Sequence, residues 1–245
     1  IWGFFYTQLM ELKYWLVLTF LGAIWGSAFI FIKIAAPEFG AIGLVQARLI
    51  IASTVFLPIL FRKKYLSLLK FSWKHSLLLA VTNNAIPFTL FSFGSFGADS
   101  NILAILNATT AFNTMIIAFF WLNEKITYKQ IFGLILGFIG VIILVNPESS
   151  STSILSAILC LVGATCYSFS TVFIQKYSQQ TDKLVLIGWS IVFSAFIMMP
   201  LTLLNLPTQM PSINAFTAAA WLGSISTGLA FFGYVYLIEK IGAVK

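Results

Sequence analysis

Three hydrogen-bonding side chains lie at helical spacing inside one long uncharged run. Asn107, Thr110 and Asn113 fall within residues 100–123, where 24 consecutive residues lack a charged side chain. Residues three apart share a face of an α-helix, so these side chains form one polar stripe. An amide or hydroxyl in hydrocarbon needs a partner, which is either a bound solute or a neighbouring helix. The stripe therefore predicts a substrate cavity or a seam of hydrogen bonds between helices.

A second group of polar residues, Arg48, Asn83 and Asn84, also falls within apolar segments. Arg48 can reach the membrane interface, bond to carbonyls at a helix end, or bind an anionic group of a substrate. Asn83 and Asn84 precede Pro87, which frees a backbone carbonyl for a kink or a contact. Aromatic residues are candidates for the walls of the same pocket, with ordinary packing as the alternative: Trp25, Phe88, Tyr167 and Trp189.

Catalytic and metal-binding chemistry is not indicated. None of the 7 acidic residues falls in the middle of a long apolar segment, so aspartyl or zinc hydrolysis within the membrane lacks its carboxylates. His75 is the one histidine of the chain, and Cys160 and Cys166 are too close along one helix to form a disulfide. We therefore predict a protein that is not an enzyme and that holds neither a cofactor nor a metal.

The elements that must position these residues are membrane-spanning helices. Hydrophobic residues make up 60% of the chain and charged residues 9%, whereas soluble domains carry about 25% charged residues. A helix needs about 20 apolar residues to cross a bilayer. The chain is thus predicted to be an all-α polytopic membrane protein with eight spans and the start of a ninth near residue 243. The eight spans are expected at residues 14–36, 41–61, 76–96, 100–123, 130–146, 153–175, 184–205 and 213–238.

The distribution of charge predicts the orientation. With the N-terminus in the cytoplasm, the inner segments hold every Lys and Arg outside the spans, and the outer loops hold Glu38, Asp99 and Glu148. Basic residues favour the cytoplasmic side of a membrane. This pattern explains the net charge of +7 without a nucleic-acid partner.

The chain also carries a weak internal repeat at an offset of 142 residues. At this offset Phe31 aligns with Phe173 and Pro58 with Pro200, and the aromatic residue Trp25 aligns with Tyr167. The predicted units are residues 14–146 and a truncated second copy, residues 153–245. Because each unit has an odd number of spans, the second copy is inverted, as in many secondary transporters. We expect an intact protein of ten spans, of which these 245 residues are a fragment.

Several stretches resemble the EamA-type transporters of the drug/metabolite transporter superfamily. Residues 22–33, GAIWGSAFIFIK, resemble the opening helix of the family, and Arg48 stands where its second helix has an Arg. Residues 107–112 (NATTAF), 123–127 (NEKIT) and 164–168 (ATCYS) resemble later parts of the pattern. The resemblance implies a ten-helix inverted repeat that moves small metabolites, often amino acids or related compounds.

Two positions depart from that family pattern. Ala111 stands where the family usually has Pro, and Asn123 stands where it usually has Gly. The first departure removes the residue that would kink the fourth span.

The expected function is secondary transport, as an exporter or permease, across the bacterial inner membrane by alternating access. A passive channel and a non-transporting scaffold are the alternatives; a channel tends to carry rings of charge or a carbonyl filter. The expected partners are a small-molecule substrate and the lipid bilayer, with the chain as a monomer or a homodimer. Small-residue pairs at Gly22–Gly26 and Gly133–Gly137, the latter extended by Gly140, predict close helix contacts within the monomer or across a dimer.

Overall fold

The computed structural model describes residues 12–145, 152–177 and 181–241, which form an all-helical bundle. Its α-helices in chain order are α1 (Leu12–Leu60), α2 (Lys63–Leu79), α3 (Ile86–Gly94), α4 (Ser100–Ala108), α5 (Thr110–Leu122), α6 (Tyr128–Val145), α7 (Ile154–Tyr177), α8 (Lys183–Leu203), α9 (Ile213–Trp221) and α10 (Ala230–Ile241). Two wider helical segments, π1 (Ala80–Ala85) and π2 (Leu222–Leu229), join α2 to α3 and α9 to α10.

The first helix turns back on itself at Gly40. Its backbone adopts φ 71° and ψ 159° there, a conformation open to glycine because it has no Cβ. On either side of the turn, Trp25 and Arg48 bond to the consecutive residues Ser226 and Thr227. In a straight helix, residues 25 and 48 would stand roughly 35 Å apart. The two arms of α1, residues 12–39 and 41–60, therefore lie side by side.

Six helical stretches in the described residues are long and apolar enough to cross a bilayer: Leu12–Leu60, Lys63–Gly94, Ser100–Leu122, Ile154–Tyr177, Lys183–Leu203 and Ile213–Lys240. A shorter apolar helix occupies Tyr128–Gly140. Each predicted span overlaps one of these stretches, with two of them in the arms of α1. The protein is thus polytopic and all-helical, while the eight-span count and the ten-helix plan stay predictions. The expected ninth span begins in residues 242–245, which lie outside the described residues.

Large apolar side chains cover the outside of the bundle. Phe20, Phe120 and Phe196 are each at least 65% exposed. A surface of this kind aggregates in water and is solvated by acyl chains in a bilayer. Inside, Phe56 and Leu60 of α1 pack against Leu186 of α8 in the largest buried cluster.

The two π segments occupy corresponding places in the chain. π1 begins at Ala80 and π2 at Leu222, which are 142 positions apart. α8 begins at Lys183, 142 positions after residue 41, where the second arm of α1 begins. Both coincidences fall at the offset that aligns the sequence with itself, although no residue identity at π1 and π2 suggested them.

The small-residue patterns do not make the close helix contacts that the sequence predicts within the monomer. An added Cβ at Gly22, Gly26, Gly133, Gly137 or Gly140 would meet no atom of the described chain within 4 Å. The close approach occurs instead at Gly223 of π2, where a Cβ would lie 2.5 Å from Cβ of Ile51 and 2.9 Å from the carbonyl oxygen of Arg48. Spacing alone missed this position because Gly223 pairs with a helix of the opposite half.

Candidate functional site

A cavity of about 1100 Å³ lies at the centre of the bundle. It is bordered by both arms of α1 and by side chains from every other long helical stretch except α8. Seven of the ten candidate residues from the sequence line it: Trp25, Arg48, Asn83, Phe88, Asn107, Thr110 and Tyr167. The other three, Asn84, Asn113 and Trp189, do not line it; Trp189 packs against Phe61 and Phe193 instead.

Arg48 is the charged residue at the centre of the cavity wall, and it is 7% exposed. Its Nε donates to Oγ1 of Thr227 at 2.6 Å, and its guanidinium carbon lies 3.7 Å from the ring centroid of Phe88. Thr227 in turn donates to the carbonyl of Leu222, which holds its hydroxyl in place within π2. Of the three sequence interpretations of Arg48, reaching the interface and binding a helix-end carbonyl do not describe these contacts.

The amides of π1 form the second part of the site. Asn83 lines the cavity and donates to Oδ1 of Asn84 at 3.3 Å. Asn84 is fully buried and donates to Oγ of Ser190 on α8 at 3.0 Å. Asn84 therefore anchors π1 to α8 and orients Asn83, so its contribution to the site runs through Asn83.

The opposite side of the cavity is formed by π2 and α10. Trp25 Nε1 donates to the carbonyl of Ser226 at 3.0 Å, and the indole packs edge-on against Tyr234. The hydroxyls of Tyr234 and Thr171 are 3.1 Å apart, which links α10 to α7 across the bundle. Ser226 borders the cavity, and its buried Oγ has no hydrogen-bond partner in the described residues.

Aromatic rings form a continuous wall between Arg48 and α7. The ring centroids of Phe88 and Tyr167 are 6.2 Å apart, and those of Tyr167 and Phe91 are 5.9 Å apart in a stacked arrangement. Phe91 continues to Phe29 of α1 at 5.6 Å. Spacings of this size are those of favourable aromatic contacts. The wall supplies a flat, apolar surface next to one cation.

The predicted polar stripe divides between the cavity and a helix seam. Asn107 and Thr110 line the cavity, whereas Asn113 donates to Oγ1 of Thr165 on α7 at 3.1 Å. Asn113 thus belongs to a seam of hydrogen bonds between helices, while Asn107 and Thr110 line a cavity and their contact with a substrate stays a prediction. The division falls within α5, which carries both Thr110 on the cavity and Asn113 on the contact with α7.

The interruption between α4 and α5 occurs without the proline that the family pattern has at position 111. The backbone N–H of Thr109 donates to the carbonyl of Leu106, three residues back, and its hydroxyl donates to the same carbonyl. Ser168 of α7 donates to the carbonyl of Thr110 at 3.0 Å, so a neighbouring helix satisfies an acceptor at the break. Polar contacts, instead of Pro, therefore accompany the interruption.

Polar contacts join segments distant in sequence at one end of the bundle. Lys33 Nζ donates to the carbonyls of Ser95 and Ala98 at 2.8 and 2.9 Å and lies 3.8 Å from Oδ1 of Asp99. Glu38 accepts from the backbone N–H and the hydroxyl of Ser212. Lys33 thus makes a defined contact with the end of α3.

The cavity extends toward the opposite end. There its lining includes Trp15 and Leu18 from the start of α1, and Lys129 and Gln130 from the start of α6. Trp15 is 53% exposed, so this part of the lining reaches the surface of the described chain. The charge pattern of the sequence predicts that this end faces the cytoplasm.

Several lining residues were not singled out from the sequence. Ser226 lies at the position that the 142-residue offset pairs with the candidate Asn84, so the repeat could have indicated it. Tyr234 and Thr171 gave no such signal. In the sequence they are ordinary members of apolar helices, and the contact between their hydroxyls is visible only in the folded structure.

Comparisons with known proteins give consistent matches over most of the chain. The model of the EamA-like transporter family matches residues 13–146 and residues 154–245. An uncharacterized transporter of Archaeoglobus fulgidus is 23% identical over 94% of this chain and 82% of its own length. Uncharacterized transporter YoaV of Bacillus subtilis is 23% identical over 91% of this chain and 78% of its own length.

Two further matches agree with these. An uncharacterized transporter of Buchnera aphidicola is 25% identical over 93% of this chain and 78% of its own length. A solved crystal structure shares the fold at a TM-score of 0.62 and 14% identity, over 91% of this chain and 79% of the other.

Proposed function

Because the chain belongs to the EamA-like transporter family, we propose that it is a secondary carrier that exports or imports a small metabolite by alternating access. Relatives that match over nine-tenths of the chain are named transporters, and the chain is a polytopic membrane protein. Family membership gives a membrane transporter, and we add to it the alternating-access mechanism, the substrate class and the identity of the membrane. We place it in the inner membrane of a bacterium, with the N-terminus in the cytoplasm.

The observation that carries the proposal is the asymmetry of the central cavity. A carrier exposes its site to one side at a time, so one end must be closed while the other is open. Contacts of Lys33 and Glu38 close one end, while the lining extends to Trp15 and Lys129 at the other. This arrangement is the one expected of an inward-facing carrier.

The proposed architecture is an inverted repeat of two five-helix units, residues 14–146 and 153–245 with the second incomplete. The ranges matched by the family model and the paired positions of π1 and π2 support this division. In such repeats the substrate lies near the middle of the membrane, beside interrupted helices. Asn83 of π1 and Ser226 of π2 face the cavity as this scheme requires.

The test is exchange transport by the full chain in proteoliposomes preloaded with metabolites extracted from the producing cells. A carrier gives saturable uptake of a labelled metabolite that speeds up when the same compound is present inside. We expect Asn107→Ala and Thr110→Ala to lower this exchange at least about tenfold, because each removes a polar group from the wall. Asn113→Ala is the matched control, since Asn113 contacts Thr165 outside the cavity.

A passive channel and a scaffold predict other results. Flux through a channel rises linearly with concentration and does not respond to compound on the far side. A scaffold gives no flux above that of empty vesicles. Full exchange by both the Asn107 and the Thr110 variants would remove the stripe from the site while leaving the carrier in place.

A further inference from the structure

Arg48 carries a buried charge whose balance is incomplete within the described chain. Thr227 accepts the Nε–H, and Phe88 covers one face of the guanidinium. Among the described residues, neither a carboxylate nor a hydrogen-bond acceptor contacts its terminal amino groups. A charge out of water is unfavourable unless it is paired and hydrogen-bonded. The edge of Arg48 that presents these groups therefore lacks its partner.

The contacts that Arg48 does make fix the direction of this edge. Thr227 holds Nε from the side of π2, and the ring of Phe88 holds the guanidinium flat. The remaining N–H groups of a guanidinium form a planar fork that matches the two oxygens of a carboxylate. A fork held in place before binding loses little freedom on binding.

The charges along the cavity favour a net-anionic compound. The charged side chains of the described lining are Arg48 and Lys129, and both are cationic. Lys129 lies at the start of α6, at the end where the cavity reaches the surface. An incoming anion thus meets positive charge at the entrance and again at the centre, which raises its local concentration.

The wall next to Arg48 suits an apolar body. Phe88, Tyr167 and Phe91 extend from the guanidinium as a row of rings. One anionic head and an apolar surface are the features this cavity can complement.

We infer that Arg48 binds the carboxylate of the transported compound, and that this compound is a net-anionic organic acid with an aromatic or branched apolar body. The inference rests on the proposed function and narrows its substrate class. It departs from the amino acids that the family resemblance implies, because the ammonium of an amino acid would meet a cavity whose charged side chains are both cationic.

The experiment compares three compounds with the same phenyl body and different charge: 3-phenylpropionate, phenylalanine and phenethylamine. Binding to the full chain in lipid nanodiscs is measured by calorimetry, at concentrations up to roughly 10 mM. We expect 3-phenylpropionate to bind at least about tenfold more tightly than phenylalanine, and phenethylamine to bind most weakly.

The variants separate recognition from structure. Arg48→Gln is expected to lower the affinity for 3-phenylpropionate at least about tenfold, and Arg48→Lys less, because it keeps the charge but not the fork. Arg62→Gln is the matched control, since it makes the same chemical change at an exposed position between α1 and α2. Without ligand, Arg48→Gln should melt no lower than the parent chain, because it removes an unbalanced buried charge.

Three results would overturn the inference: undiminished binding of the anion by Arg48→Gln, tighter binding of phenylalanine or phenethylamine than of the anion, or no saturable binding of the anion. If Arg48→Gln fails to fold, Arg48→Lys and the ranking of the three compounds still decide. Exchange transport separates this inference from the carrier proposal. Exchange of phenethylamine alone would support the carrier proposal and contradict an anionic substrate. Arg48-dependent binding of the anion without any exchange would support the anion inference and contradict the carrier proposal.

Discussion

The side chains at the centre of the bundle join two stretches of chain that are far apart in sequence. Trp25 and Arg48, from the two arms of α1, bond to Ser226 and Thr227 of π2. Each bond fixes the orientation of a cavity-lining side chain as well as a helix contact. The same residues therefore contribute to stability and to the shape of the cavity. A substitution that removes one hydrogen-bonding group and keeps the rest of the side chain measures the contribution of that bond.

Trp25→Phe is such a substitution. It removes the indole N–H that bonds to Ser226 and keeps an aromatic ring against Phe231 and Tyr234. We expect the free energy of unfolding to fall by about 0.6–1.5 kcal/mol, the size of one hydrogen bond in a membrane bundle. Reversible unfolding in mixed micelles measures the change. Trp73→Phe, at a 46% exposed position, should change little; an equal loss in both would show that the bond to Ser226 adds nothing.

At the scale of elements, the contact between the second arm of α1 and π2 positions the site. Gly223 allows π2 to approach the backbone of α1 at Arg48 and Ile51. The wider turn of π2 then places Ser226 and Thr227 against both arms at once. The glycines of α6, by contrast, have open space around them in the described chain.

Gly223→Ala and Gly137→Ala form a matched pair that tests this difference. The first must separate π2 from α1, because the new Cβ would lie 2.5 Å from Cβ of Ile51. Overpacking of this kind costs about 1–3 kcal/mol of unfolding free energy. The second adds a methyl group where nothing lies within 4 Å, so it should be neutral. A large loss in Gly137→Ala would instead indicate that this face of α6 contacts a second copy of the chain.

At the scale of the whole molecule, the cavity opens toward one end because the other end is tied. Lys33 binds the end of α3, and Glu38 binds Ser212 at the start of α9. Both residues lie near the Gly40 turn of α1, so this single turn contacts both proposed repeats. Loosening these contacts should shift the balance between states that open to opposite sides.

The double variant Lys33→Gln and Glu38→Gln tests this expectation. Its reporter is Ala111→Cys on the cavity wall, with Cys160 and Cys166 replaced by Ser. In the parent chain a membrane-impermeant thiol reagent should label the reporter from the open end and slowly from the closed end. The double variant should raise labelling from the closed end several-fold, because polar contacts of that end are removed. Unchanged labelling would mean that other contacts hold the end closed.

The amino-acid sequence by itself determined the class of the protein, its apolar helices and seven of the residues around its cavity. Long uncharged runs have one stable form in lipid, the helix, and polar residues within them must face inward. Local spacing therefore sufficed to identify Asn107, Thr110, Asn83 and Arg48. The sequence also matches the family model, which covers residues 13–146 and 154–245.

Only the tertiary structure decided which polar residues share a wall and which sit behind it. Asn113 and Asn84 have the same side chain as Asn107 and Asn83 in the cavity, but they bond to Thr165 and Ser190 of neighbouring helices. Which side chain meets a neighbouring helix depends on how distant parts of the chain pack, so periodicity along one helix does not determine it. For the same reason the close packing falls at Gly223 and not at the glycines of α6: a small residue permits a close approach, and the partner helix decides whether it occurs.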